Sequence, residues 1–202
     1  MNAIFLLGYM GCGKSTIGKS LAQKLNISFI DLDQVIENQE NESIKAIFDK
    51  RGELYFRKAE RQALQQLIAQ QNSGVISLGG GTPCYFENMN DLAQSKHYSI
   101  YLKASIPTLV GRLKDEKAMR PMIDHLTDDT ALTEFIGKHL FERNAFYQKA
   151  KTVFTIDGLS VDEIVDDLIK RISFKKMLPD ELCECGIICQ MIYHGSHRFF
   201  IF

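Results

Sequence analysis

Two groups of residues in this chain are suited to handling phosphate. The first is Gly8-Tyr9-Met10-Gly11-Cys12-Gly13-Lys14-Ser15-Thr16, in which Gly8, Gly13, Lys14 and Ser15 meet the pattern G-x-x-x-x-G-K-[ST]. Glycines at these places let backbone N–H groups converge on phosphate oxygens, and a helix starting at the lysine turns its positive end toward them. Lys14 adds a point charge for the outer phosphates. The Ser15 hydroxyl suits Mg²⁺, which usually keeps several of its waters. The second group is Asp31-Leu32-Asp33, at the end of the next apolar run. In extended chain, residues two apart face the same side. One carboxylate can then hold a metal-bound water while the other takes a proton from an attacking hydroxyl, as phosphoryl transfer requires. The competing role for Asp33 is to cap a helix beginning at Gln34.

Two arginines fall on otherwise apolar helical arcs. At about 100° per residue, Leu132, Phe135, Ile136, His139, Leu140, Phe146 and Tyr147 share one face with Arg143 in its middle. The same projection sets Arg57 and Glu60 among Phe56, Ala63, Leu64 and Leu67. An inward arginine needs an anion, because unpaired buried charge is costly. Two of them facing a cleft suit bidentate capture of a carboxylate, and Glu60 lies one turn from Arg57 to orient it. A core ion pair, or stems that reach back to water, is the alternative. Gly79-Gly80-Gly81 either lets a ligand approach backbone amides or makes a flexible turn. The charged stretch from Arg112 to Asp124, with Arg120-Pro121 inside it, reads either as a flap that closes over phosphates or as a solvated loop.

These residues need a frame. Apolar runs at Ala3–Leu7, Ser28–Leu32, Val75–Leu78, Ser99–Leu102 and Thr152–Ile156 predict five strands. Amphipathic stretches at Lys14–Leu25, Ser43–Lys50, Glu53–Ala69, Phe86–Gln94, Pro107–Lys114, Thr130–Ala150 and Val161–Ile172 predict the helices. Such alternation gives an α/β fold, a three-layer α/β/α sandwich around a five-stranded parallel sheet. Ligands of such sheets gather at the carboxyl ends of the strands, where the glycines and Asp31/Asp33 fall. With 202 residues there is room for one well-buried α/β domain over 1–172 and an extension over 173–202. A net charge of −1 gives no electrostatic footprint for nucleic acid. The apolar start is too short for a membrane span and lacks a basic leader. Five cysteines, without framework spacing over the first 170 residues, fit a reducing compartment, so a cytoplasmic protein is expected.

Taken together, Gly8–Thr16, Asp31-Leu32-Asp33, Phe56-Arg57-Lys58-Ala59-Glu60, Leu78-Gly79-Gly80-Gly81, Met119-Arg120-Pro121-Met122 and Glu142-Arg143-Asn144-Ala145-Phe146-Tyr147 resemble the shikimate kinases in order and spacing, from about Ala3 to Ile172. The resemblance implies a P-loop fold of the nucleoside-monophosphate-kinase type. It also implies transfer of the γ-phosphate of ATP, with Mg²⁺, to the 3-hydroxyl of shikimate on the route to chorismate. Gly11, Cys12, Gly13, Lys14, Ser15 and Thr16 would wrap the phosphates. Ser15 would bind the metal, and Asp31 would reach it through water. Asp33 would bind the acceptor hydroxyl and act as base. Arg57, Arg143 and the backbone of Gly80 and Gly81 would hold shikimate, with Phe48 and Phe56 lining its ring. Arg120 would come from the flap to the transferring phosphate, and Arg112 would lie against adenine.

The chain departs from the family pattern in two places. Ile156-Asp157-Gly158-Leu159 lacks the basic residue usual in the adenine loop, and the family usually ends near Ile172. The extension carries Cys183, Cys185, Cys189, His194 and His197, which are soft ligands without a standard zinc spacing. Packing on the domain or on another chain is its other reading. A monomer acting on a small molecule, without nucleic acid or membrane, is expected. A sugar-acid kinase of the gluconate type and a nucleotide-binding regulator are the competing readings; Arg57 with Glu60, Asp-x-Asp, and the intact Lys14 and Arg143 argue against them.

Overall fold

The computed structural model describes residues 2–70, 73–119, 122–126 and 128–177, with backbone alone at 117–119 and 175–177. Five strands, β1 (Ile4–Leu7), β2 (Ser28–Asp31), β3 (Gly74–Ser77), β4 (Tyr98–Lys103) and β5 (Thr152–Thr155), form one sheet. Their order is β2-β3-β1-β4-β5, and every pairing is parallel. The chain builds outward from β1 toward β2 and β3 on one side, then toward β4 and β5 on the other. The carboxyl end of β1 is therefore the switch point, where a crevice opens in sheets of this kind. The loop Gly8–Gly13 leaves from that point.

Side chains of β1 alternate between two cores. Ile4 and Leu6 enter one with Ile17, Leu21, Leu109, Ile136, Ile164 and Leu168. Phe5 and Leu7 enter the other with Leu32, Ile36, Phe56, Leu64, Met89 and Tyr147. All four β1 residues are buried, which explains the unbroken apolar run: both faces are covered by helices. The first core lies under α1 (Lys14–Leu25), α5 (Ile106–Leu113), α6 (Asp129–Tyr147) and α7 (Val161–Met177). The second lies under α2 (Leu32–Glu40), α3 (Ile44–Ala69) and α4 (Asn88–Gln94).

Several expected boundaries move, for local reasons. The strand expected to end at Leu32 stops at Asp31, whose carboxylate accepts the Asp33 N–H and starts α2, a helix that the sequence reading raised only as an alternative beginning at Gln34. The two helices expected at 43–50 and 53–69 run together as α3, broken at Gly52, whose φ of 77° and ψ of 172° lie outside the helical region. Only glycine adopts that backbone cheaply. The helix expected from Phe86 starts at Asn88, because Phe86 has a positive φ of 50°. The helix expected to reach Ala150 stops at Tyr147, and α7 continues past Ile172 to Met177.

Candidate active site

The cradle follows β1. Gly8, Gly11 and Gly13 take φ values of 145°, 79° and 94°, so the loop needs glycine at each. A methyl group on Gly8 would stand 2.7 Å from the Leu102 carbonyl oxygen, which adds a steric reason there. Side chains of Asp31, Ser43, Ser105 and Asp128 cap α2, α3, α5 and α6. Among the described residues no side chain caps α1, whose preceding residue is Gly13. This helix forgoes the roughly 1 kcal/mol that a side-chain cap contributes. Its first N–H groups are left without a side-chain acceptor and so fit an anion such as the phosphates of ATP. Lys14 Nζ donates to the carbonyl oxygens of Gly8 (2.8 Å) and Tyr9 (3.0 Å), which folds it back over the loop. Cys12 is buried beneath.

A cleft of about 710 Å³ opens there, lined by Gly11, Gly13, Lys14, Ser15, Thr16, Asp31, Asp33, Gly79, Gly80 and Arg112, among others. Ser15 Oγ donates to Asp31 Oδ2 at 3.1 Å, while Asp31 Oδ1 accepts the Asp33 N–H at 3.1 Å. One hydroxyl and one carboxylate are thus held together, a sparse oxygen set that suits Mg²⁺ keeping most of its waters.

The extended-chain argument for Asp31 and Asp33 does not hold. Asp31 ends the strand, whereas Asp33 sits in the first turn of α2. Asp33 does not cap the helix either, because Asp31 does. Asp33 nevertheless reaches the cleft. Burial first, then repulsion by Asp31 and Glu60, pushes its carboxyl up to about 6, against the pull of Lys14. The side chain keeps access to water, so the shift reports a crowded recess rather than a dry core.

Each glycine after β3 admits a different neighbour. A methyl group on Gly79 would stand 2.9 Å from Thr82 Oγ1, 3.2 Å from Glu60 Oε1 and 3.3 Å from Asp33 Oδ1. One on Gly81 would meet Arg57 Nη1 at 3.1 Å, and one on Gly80 would lie 3.9 Å from Arg143 Nη1. Tyr147 Oη donates to the Gly80 carbonyl, tying α6 to this turn. The run is therefore a packed junction between the arginines and the cleft.

Arg57 already has carboxylates. Nη1 donates to Glu60 Oε2 at 3.0 Å, and Nε and Nη2 each approach Glu53 Oε1 at 3.3 Å. The anion it was expected to need is thus supplied within the chain. Glu60 is almost fully buried and accepts from Thr82 Oγ1 at 2.6 Å. Burial raises its carboxyl, while that hydrogen bond and Arg57 pull it down. The Arg57 guanidinium lies 4.0 Å from the Tyr85 ring centroid and 5.0 Å from that of Phe56. Phe48 packs on Phe56 with centroids 4.7 Å apart. Arg143 lies over the Tyr9 ring at 5.7 Å, and the Tyr9 hydroxyl bonds His139 Nδ1 at 3.1 Å. Phe48, Phe56, Arg57 and Arg143 do not line the phosphate cleft itself; the arginines stand across the glycine junction from it, with Phe56 against Arg57 and Phe48 on Phe56.

Arg112 Nη1 donates to the carbonyl oxygens of Gly11 (3.3 Å) and Cys12 (3.2 Å), which places the guanidinium on the cradle. Asp157, in the loop that lacks the expected basic residue, accepts from the Ser105 N–H and Oγ and so fastens the start of α5. Arg120 and the cysteines and histidines after residue 177 lie outside the described residues. Sequence reasoning missed Glu53, Thr82 and Tyr85, and it named Tyr9 and His139 without foreseeing that they meet. Glu53 had a readable signal, since it lies one helical turn before Arg57. Thr82, Tyr85 and the Tyr9–His139 contact join separate segments and had none.

The family model for shikimate kinase matches residues 10–173. A shikimate kinase of Flavobacterium johnsoniae is 46% identical over 169 residues, covering 84% of this chain and 98% of its own. That of Flavobacterium psychrophilum is 44% identical over 170 residues, with 84% and 98% covered. Among solved structures, the shikimate kinase of Bacteroides thetaiotaomicron superposes with a TM-score of 0.78 at 36% identity, covering 85% of this chain and 98% of that one. The shikimate kinase of Acinetobacter baumannii, solved with shikimate, gives a TM-score of 0.76 at 27% identity, with 88% and 96% covered. The cradle, the sheet order and these relatives agree, and the chain belongs to the shikimate kinase family of ATP-dependent phosphotransferases.

Proposed function

We propose that this chain transfers the γ-phosphate of ATP to the 3-hydroxyl of shikimate, with residues 1–172 as the kinase domain and residues 173–202 as an extension. The observation that carries the reading is the place of Asp33. It faces Lys14 and the cradle on one side and, through Gly79, touches the Glu60–Arg57 pair on the other. A carboxyl near 6 is mostly ionised at neutral pH and basic enough to take a hydroxyl proton as the bond to phosphorus forms.

The chain's own residues divide the work. The N–H groups of Gly11–Thr16 hold phosphate oxygens, and Lys14 adds charge to the outer ones. Ser15 and, through water, Asp31 would hold Mg²⁺, which when bound neutralises charge building on the phosphates. Asp33 orients the acceptor hydroxyl and accepts its proton. Arg57, Arg143 and the amides of Gly80 and Gly81 fix the acceptor by its carboxylate, and Phe48 and Phe56 wall its ring. Arg112 closes on the nucleotide from the cradle's rim, and Arg120 reaches the transferring phosphate from a lid spanning about 112–124. A monomer in the cytoplasm completes the reading; Cys12 and Cys84, unpaired among the described residues, are in keeping with a reducing compartment.

The test is ADP release from Mg·ATP with shikimate, gluconate, quinate or no acceptor. Shikimate-dependent turnover with little background hydrolysis is expected. Turnover on gluconate alone would overturn the acceptor, and ATP binding without turnover on any acceptor would overturn the transfer.

A further inference from the structure

The Arg57 guanidinium is held from two sides by two different carboxylates. Glu60 takes Nη1 from the interior, is almost fully buried, and is itself fixed by Thr82. Glu53 takes the opposite edge, where Nε and Nη2 form the fork that suits a carboxylate. It offers only one oxygen there, at 3.3 Å to each nitrogen, and its side chain is 54% exposed. The Tyr85 hydroxyl donates to that same oxygen at 2.7 Å, and the Tyr85 ring lies against the guanidinium. Arg143 is near enough to favour the ionised form of Glu53. Three donors and a second arginine therefore converge on the end of one exposed, flexible side chain. That is the construction of a carboxylate-binding site, and a carboxylate of the chain already occupies it.

Orientation of Arg57 does not need this contact. Glu60 provides it from a buried, hydrogen-bonded position. Glu53 also directly follows Gly52, where the backbone of α3 is broken, so its carboxylate sits just beyond a joint rather than in mid-helix.

We infer that Glu53 is an internal stand-in for the acceptor's carboxylate: it occupies the outer fork of Arg57 and must swing into water before an acceptor binds. This rests on the reading that Arg57 takes the acceptor's carboxylate. Its consequence is a selectivity filter. An anionic acceptor can replace Glu53 at the fork, whereas a neutral analogue would leave Arg57 and Tyr85 with Glu53 still in place. The filter lowers affinity for the true acceptor and screens the arginine when no acceptor is present.

The experiment is equilibrium binding of shikimate and of its methyl ester to the wild type, Glu53→Gln, Glu53→Ala and Arg57→Gln, with thermal melts to confirm folding. Removing the competing charge should tighten shikimate about threefold to tenfold in both Glu53 variants. The ester, which has no charge to gain at the fork, should change less than about twofold. KM for shikimate should fall in parallel, with kcat near the wild-type value. If Arg57→Gln weakens shikimate and spares the ester while the Glu53 variants leave shikimate unchanged or weaken it, the stand-in is overturned and the Arg57 reading survives. If Arg57→Gln alters both ligands equally, the Arg57 reading itself fails.

Discussion

Asp33 is crowded by Asp31 and Glu60, and the crowding that would suit it to the proposed role of base also strains the fold. With its carboxyl near 6, acceptor turnover should rise through that pH as the proton leaves, then level off. Asp33→Asn should lower kcat at least about 100-fold, the usual share of a general base, while ATP binding measured by titration stays close to wild type. The same shift has a stability sign. Unfolded, Asp33 loses its proton near 3.8; folded, near 6. Between those values folding takes up a proton, so stability declines as pH rises and remains lower above 6. Asp33→Asn removes that penalty. The variant should be more stable than wild type at neutral pH by about 1 kcal/mol, discounted because the side chain reaches water. That corresponds to roughly 2–4 °C in melting temperature, and the difference should vanish below about pH 3.5. Equal melting curves at neutral pH would show that Asp33 is not crowded in solution. What was legible at single positions was what lies close in sequence: the cradle, and Arg57 with Glu60 one turn later. The geometry of Asp31 and Asp33 was not legible, because Leu32 prolongs the apolar strand pattern and hides that Asp31 is a helix cap.

Joints between elements do as much as the residues they carry. The loop after β1 and helix α6 meet through the Tyr9 hydroxyl and His139, with Arg143 one turn further along α6 and above the Tyr9 ring. Burial pushes the Tyr9 hydroxyl up to about 12, so it stays protonated at working pH and can donate to His139. Burial first, then Arg143, lowers the pKa of His139, favouring the neutral ring that can accept. The phosphate loop and the helix that carries Arg143, proposed to bind the acceptor, are thus tied by one hydrogen bond. Tyr9→Phe keeps the packing and loses that bond, worth about 1 kcal/mol net. It should raise KM for shikimate about fivefold with a smaller effect on kcat, because Arg143 is less well aimed while the cradle backbone is unchanged. An unchanged KM would mean that α6 is fixed by Tyr147 on Gly80 alone. Periodicity showed the arc that includes His139 and Tyr147, but not that a loop tyrosine 130 residues earlier would meet it. Such contacts depend on strand order, which a pattern of alternating runs leaves open.

The five strands lie between Ile4 and Thr155, and α7 closes the layer over α1. Ile164, Val165, Leu168 and Ile172 are buried there, and Lys24 pairs with Asp162 and Asp166 across the same seam. The exposed ion pairs add little, so the four apolar side chains do the holding. At about 1.5–3 kcal/mol each, they contribute roughly 6–12 kcal/mol, as much as the whole stability of a typical domain. Where the chain can be shortened follows from that comparison. A protein ending at Met177 keeps all four, together with β1 to β5, and should melt within about 2 °C of the full chain with kcat within about twofold. A protein ending at Ser160 loses all four and should not fold. Loss of turnover in the longer truncation, with its melt intact, would assign the extension a part in the reaction; loss of the melt would put it in the core and move the domain boundary beyond Met177. The composition and the alternation of runs announced this architecture, since both faces of a parallel sheet must be covered by helices. They placed the break at Ser173, inside a helix that runs on to Met177, because the apolar periodicity of α7 stops at Ile172 while its backbone hydrogen bonding does not need to.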